Sequence, residues 1–284
     1  MKVFTRLLAA AGLATGLLHS SLAVTQELTL DNVIAARSAE DRARDVYRHP
    51  AETLEFFQVA PGMTVAEVLP SGGWYTRILA PYLGSDATLY GINYAPRMWP
   101  MFQRGEVWER ERLAATKAFA GDVASYTDNG IKAKGFSFAD IPPGIADSVD
   151  RVLVIRALHN LNRFEEQAGT LTQALASIRA MLKADGLVGV VQHRLPESAP
   201  EPGSDGSRGY LKPSTVIAAF NAAGFTLVGS SEINANPKDQ PGPEDVVWRL
   251  PPSYAGSEDD PQRRAAMDAI GESDRMTMLF RKAD

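Results

Sequence analysis

The chain has 284 residues, is 45% hydrophobic and carries a formal net charge of -5, the make-up of an ordinary globular protein with one large domain or two small ones. No block of Lys or Arg interrupts that acidic balance, so a phosphate-backbone partner is disfavoured and nucleic acid is not the expected ligand. The absence of cysteine excludes disulfides, thiolate metal sites, a thiol nucleophile and covalently attached c-type haem.

In chain order, Lys2 and Arg6 flank the start of an apolar run, Leu7 to Leu18, and Ser21 to Ala23 are small residues suited to cleavage after Ala23. This pattern predicts a secretory signal peptide over 1–23, too short for a comfortable membrane span. An uncleaved anchor is the plain alternative. No Cys follows the apolar run and no twin arginine precedes it. The expected location is therefore periplasmic or secreted, with no stable membrane insertion after cleavage. Residues 24–62 read as a helical cap. Ser38 to Arg48 form a charged helix opened by Ser38, with Asp41 as a capping-box acid. A second helix follows with Pro50 in its first turn.

From residue 63 the pattern changes. "MTVAEVL", "ATLYGIN", "GFSFADI", "SVDRVLVIRAL", "GLVGVVQHR", "FTLVGSSEI" and the closing "DRMTMLFRK" are apolar or β-branched runs of strand length. Helical patterns lie between most of them, at Gly73 to Leu83, Pro96 to about Phe119, Arg163 to Leu182 and Pro213 to Ala223. This order predicts an α/β domain over 63–284: a Rossmann-like, doubly wound sheet of seven strands, mostly parallel, with an antiparallel last strand. Two proline-rich segments, Pro196 to Gly209 and Asn234 to Gln262, break the rhythm, and loops of that length are usually functional or mobile.

In open α/β sheets ligands sit beyond the carboxyl ends of the strands. After the first strand come Ser71, Gly72, Gly73, Trp74 and Tyr75, at a helix start whose free N–H groups attract polar or anionic atoms; Glu67 lies near the end of the strand itself. A steric turn and an aromatic pair packed on a neighbouring helix would leave the same residues.

The stretch "PGMTVAEVLPSGGWYTRILAPYLG" resembles the first motif of class I S-adenosylmethionine-dependent methyltransferases. With "AEDRARDVYRHPAETLEFF", "DRVLVIRALHNL", "GYLKPSTVIAAFNAAGF" and "ESDRMTMLF" it is similar to a family of exported bacterial methyltransferases over most of the chain, Ser38 to Lys282. The resemblance implies S-adenosylmethionine as cofactor, held by Glu67, Ser71, Gly72, Gly73, Trp74 and Tyr75. It also implies Asn93 at the ribose and Ser137 and Phe138 at the adenine, with core packing as the plainer role for Phe138. The sequence departs from that motif where Leu69 and Ser71 replace the inner glycines and Asn93 replaces an acid. An amide lacks the charge and the double-acceptor geometry of a carboxylate.

The resemblance sets Arg156, His159 and Asn160 beside the transferred methyl, with Tyr47 closing over the site from the cap. Methyl transfer needs an in-line nucleophile and sometimes a base. His159 is either that base or a helix-start histidine satisfied by backbone. Three readings follow. The first is a methyltransferase acting on a small-molecule or envelope acceptor. The second is a non-catalytic ligand-binding protein with a degenerate cofactor loop. The third, a metal-dependent hydrolase around His159 and His193, is the weakest, and no metal ligand set is expected.

Overall fold

The computed structural model describes residues 29–200 and 203–284, so the signal-peptide expectation lies outside the described residues. Four short helices come first: α1 (Leu30–Ala36), α2 (Ala39–Arg42), α3 (Asp45–Arg48) and α4 (Pro50–Phe56). Ser38 does cap α2, its side chain accepting from the Asp41 amide at 3.1 Å. The expected single charged helix is nonetheless two, because the helix breaks at Ala43–Arg44 and α3 ends on His49 in the left-handed region, with φ 39°. The Asp41 carboxylate, expected as a capping-box acid, instead takes both ends of the Arg77 guanidinium at 2.7 Å.

The remainder alternates strand and helix. β1 (Thr64–Val68), α5 (Thr76–Leu83) and β2 (Thr88–Asn93) lead through a 3-10 segment at Pro96–Phe102 to α6 (Glu106–Tyr126) and β3 (Lys132–Ser137). After them come β4 (Val149–Ile155), α7 (Leu158–Arg163), α8 (Glu165–Ala168), α9 (Thr170–Met181) and β5 (Leu182–His193). The chain closes with α10 (Pro213–Ala222), β6 (Phe225–Ser231), α11 (Pro261–Ile270) and β7 (Arg275–Lys282). Two expected helices are divided. Pro100 and the left-handed Gln103 end the 3-10 segment before α6, and Gly169, φ 60°, separates α8 from α9.

The seven strands form one sheet in the order β3-β2-β1-β4-β5-β7-β6. β1 to β5 pair in parallel, while β7 runs antiparallel between β5 and β6. The strand order reverses between β1 and β4, so their carboxyl ends form the crevice of a doubly wound sheet. The seven-strand, antiparallel-ending sheet expected from the pattern is the one observed.

Alternation along the strands sorts the side chains onto two faces. Ala66, Val68, Val152, Val154, Val188, Val190 and Phe280 belong to one apolar core with Leu158, Ile178 and Phe220. Val65, Leu153, Ile155, Val191 and Leu279 belong to the other, with Leu54, Phe57, Ile78 and Phe119. Glycines admit close approaches on the second face. A Cβ at Gly91 would lie 2.5 Å from the Phe119 ring, and one at Gly189 would lie 2.4 Å from Phe57. The period of two also puts Glu67, His193 and Arg275 on this second face, near the carboxyl edge where the amino-terminal helices pack. Among the described residues no helix is long and apolar enough to cross a membrane.

Candidate functional site

A cavity of about 290 Å³ opens at the carboxyl ends of β1, β4 and β5. Glu67, Ser71, Trp74 and Tyr75 line it from the first turn, and Arg156, His159 and Asn160 from the end of β4. His193 closes the β5 side, and Trp248 and Leu250, from the long proline-rich excursion, close the top. The backbone bends sharply around it: Leu69, Ser71 and Arg156 hold φ of 54°, 51° and 58°. Non-glycine residues pay for such conformations, and they gather where a site requires them.

The turn itself is built by packing. Gly73 has φ 73°, and a Cβ there would meet the Tyr126 hydroxyl at 2.8 Å and the Arg77 guanidinium at 3.3 Å. Gly72, by contrast, has open space where a side chain would go. Neither glycine lines the cavity. Trp74 is buried between the Arg37 and Arg48 guanidiniums, 4.8 and 4.6 Å from its ring, and its indole N–H donates to the Asp41 carbonyl. Tyr75 packs edge-on against Trp74, and its hydroxyl donates to the Arg48 carbonyl at 3.4 Å.

Glu67 is buried, and its carboxylate accepts a 2.7 Å hydrogen bond from the Thr76 hydroxyl. Burial pushes its carboxyl up to about 7, against the opposing pull of that bond and of Arg156. It is thus poised between charged and neutral near neutral pH.

His159 begins α7 beneath the cavity. The side-chain amide of Gln192 donates to the carbonyls of His193 and Gly209, which turns its oxygen toward the His159 amide at 3.3 Å and the ring Nδ1 at 3.4 Å. That orientation assigns the proton to Nδ1, and the Nε2 lone pair has no hydrogen-bond partner among the described residues. Burial lowers the imidazole to about 4, so it is neutral at pH 7. His193 lies 5.6 Å away, centroid to centroid, with its Nδ1 2.6 Å from the Ser273 hydroxyl; burial and the neighbouring His159 push it well below the usual range. Among the described residues no cluster of three or more His, Asp or Glu side chains could hold a metal.

A buried charge network forms the floor. Glu272, just ahead of β7, accepts from Arg44, from Arg48 and from Arg275. Burial alone would raise its carboxyl, but Arg275, Arg48 and Arg156 hold it at about 2. Arg44 is thus engaged at the floor and not left on a solvated face. Tyr47 does not reach the cavity; its ring packs over Gly271, where a Cβ would sit 2.6 Å from it, and its carbonyl accepts from Arg275.

Three residues expected at the adenosyl side lie outside the cavity. Asn93 donates to the Thr116 hydroxyl at 2.7 Å, leaving its oxygen and its second amide hydrogen. The Ser137 hydroxyl donates to Asp140 within its own turn. Phe138 faces a separate hollow of about 220 Å³ with Met98 and Ala174. Between these ends Tyr94 crosses from β2 to β4, its hydroxyl donating to the Ala157 carbonyl at 2.7 Å, beside Trp99 and Phe102. A larger open groove, about 840 Å³, runs outside the glycine turn along Arg37, Asp41, Arg77 and Tyr126.

The sequence did not single out Gln192, Trp248, Glu272, Ser273 and Arg275 as site residues. The length of the proline-rich excursion was the one available signal, and it pointed to a segment rather than to a side chain.

No protein-family model matches the chain, and no curated protein matches it. Solved structures do. The crystal structure of the cyclase SpnF is 14% identical, with 89% of this chain and 91% of that one covered and a TM-score of 0.52. A SAM-dependent methyltransferase from Aquifex aeolicus is 15% identical, over 72% of this chain and 93% of its own, with a TM-score of 0.45. Geranyl diphosphate C-methyltransferase from Streptomyces coelicolor is 9% identical, over 83% and 77%, with a TM-score of 0.47. At 14% identity the likeness to SpnF shows the fold alone, a Rossmann-like doubly wound sheet.

Proposed function

We propose that the protein is an S-adenosylmethionine-dependent methyltransferase, exported through residues 1–23, that acts on a small-molecule or envelope acceptor. The observation that supports this most is the cavity at the β1–β4 switch, where Glu67 and the turn at Ser71 face an imidazole whose Nε2 has no hydrogen-bond partner among the described residues. The amino-acid end of the cofactor fits here. Glu67 suits its ammonium group, and the Ser71 and Gly72 amides, at a helix start, suit polar atoms. At the ribose Asn93 keeps its oxygen and one amide hydrogen, short of the two acceptors of a carboxylate. The cofactor supplies an electrophilic methyl group. The chain supplies His159, whose Nε2 can take a proton from the acceptor, and an apolar roof of Trp248 and Leu250 that limits water.

A second reading has its own support. None of Asn93, Ser137 and Phe138 lines the cavity, and Tyr94 is fully buried with its hydroxyl bonded to Ala157. This favours a ligand-binding protein whose ligand is smaller than the cofactor.

Calorimetric titration with S-adenosylmethionine separates the two, followed by a transfer assay with labelled methyl. The first reading expects saturable binding, with His159→Ala leaving affinity near normal while turnover falls about 10²–10⁴-fold, the range of general-base catalysis. Absence of binding gives the second reading the site.

A further inference from the structure

The floor of the cavity carries more positive than negative charge. Four guanidiniums, Arg44, Arg48, Arg156 and Arg275, surround Glu272. Three of them hydrogen-bond to it. Arg156 does not: among the described residues its side chain makes no hydrogen bond and no ion pair closer than 4 Å. It sits at the end of β4 in a left-handed conformation and lines the cavity. The neighbouring acid, Glu67, is engaged by Thr76, and the two imidazoles offer no negative charge. A guanidinium taken from bulk water without a partner is costly, and a planar fork of N–H donors matches a carboxylate.

We propose that this cavity takes a small organic carboxylate other than S-adenosylmethionine, with Arg156 as its counter-ion. The inference deepens the reading above, on which it rests, by naming the class of the acceptor: an organic acid. The anion would complete the charge balance that Glu272 leaves open. At about 290 Å³ the cavity suits a small body, and Leu69, Ile155, Trp248 and Leu250 offer it apolar walls.

The test uses acetate, benzoate and octanoate, each against its neutral amide, titrated into the purified protein and read by tryptophan fluorescence and thermal shift. At least one acid should bind about tenfold or more tightly than its amide, the scale of a charge-assisted hydrogen bond. Arg156→Gln should erase that preference, and Arg156→Lys should restore part of it. Relief of repulsion among the arginines should leave the melting temperature of ligand-free Arg156→Gln equal to or above that of the parent. Equal binding of acid and amide throughout, or a preference that survives Arg156→Gln, overturns the proposal. So does S-adenosylmethionine that displaces the bound acid and itself loses affinity in Arg156→Gln, since Arg156 would then hold the cofactor's own carboxylate and the methyltransferase reading would stand. Selective binding of the acid with no binding of S-adenosylmethionine leaves the carboxylate site intact and removes the methyltransferase.

Discussion

At the scale of single residues, the site depends on which groups are kept neutral. Glu67 binds its proton more tightly in the folded chain than in the unfolded one, because burial lifts it from 4.5 to about 7. Between those values the folded state holds more protons, so this group's contribution to stability declines as pH rises through the window and is level above about 7. His159 acts in the opposite sense. Its folded value of about 4 lies below 6.5, so its contribution is lost as pH falls from 6.5 toward 4. Glu67→Gln isolates the first effect, since a Gln oxygen can still accept from Thr76. Relative to the parent, this variant should gain stability as pH is raised from about 4.5 to 7, by up to about 3 kcal/mol for a shift of that size, and hold a constant advantage above. Thermal melts across that range check it. A difference independent of pH would mean that Glu67 ionises normally.

At the scale of elements, the turn from β1 into α5 shows what sequence can and cannot convey. Its strand, its glycines and its helix were all legible from the apolar run and the punctuation. What the glycines serve was not. Gly73 admits Tyr126 and Arg77 from the outer side, and these partners come from α6 and α5. Gly73→Ala should therefore destabilise the fold, by at least the ~1 kcal/mol typical of forcing a side chain into a positive-φ site, whereas Gly72→Ala should be close to neutral. Chemical denaturation of the two variants measures both, and equal stability would remove Tyr126 as the reason for Gly73. The strands were readable because central parallel strands are continuous apolar runs. Helix ends were less so, since the break at Ala43–Arg44 has no proline or glycine to mark it. The cavity was half readable: Glu67, Ser71, Trp74, Tyr75, Arg156, His159 and Asn160 follow strands and meet there. Glu272 and Trp248 arrive through loops, and no local spacing records which distant side chain they will face.

At the scale of the whole molecule, the two ends of the chain hold the site together. Glu272 ties Arg44 and Arg48 of the first helices to Arg275 of the last strand, over sequence separations of 228 and 224 residues for the first two. Breaking a buried ion network by removing its shared acid leaves uncompensated charge and typically costs 3–5 kcal/mol. Glu272→Gln should accordingly loosen α1 to α4, seen as faster proteolytic cleavage between residues 36 and 50 while the sheet persists. Cleavage at the parent rate would show that apolar packing alone holds the cap. The placement of β7 has a further consequence, in time rather than in space. β6 pairs with β7 and not with β5, and the clasp at Glu272 lies just before β7, so neither the β6 edge of the sheet nor the pocket floor can form until Arg275–Lys282 has been made. Contacts that span nearly the whole chain are the slowest to form. A nascent chain of this topology remains incomplete until β7 has been made, and a truncation that removes β7 should yield no folded protein at all.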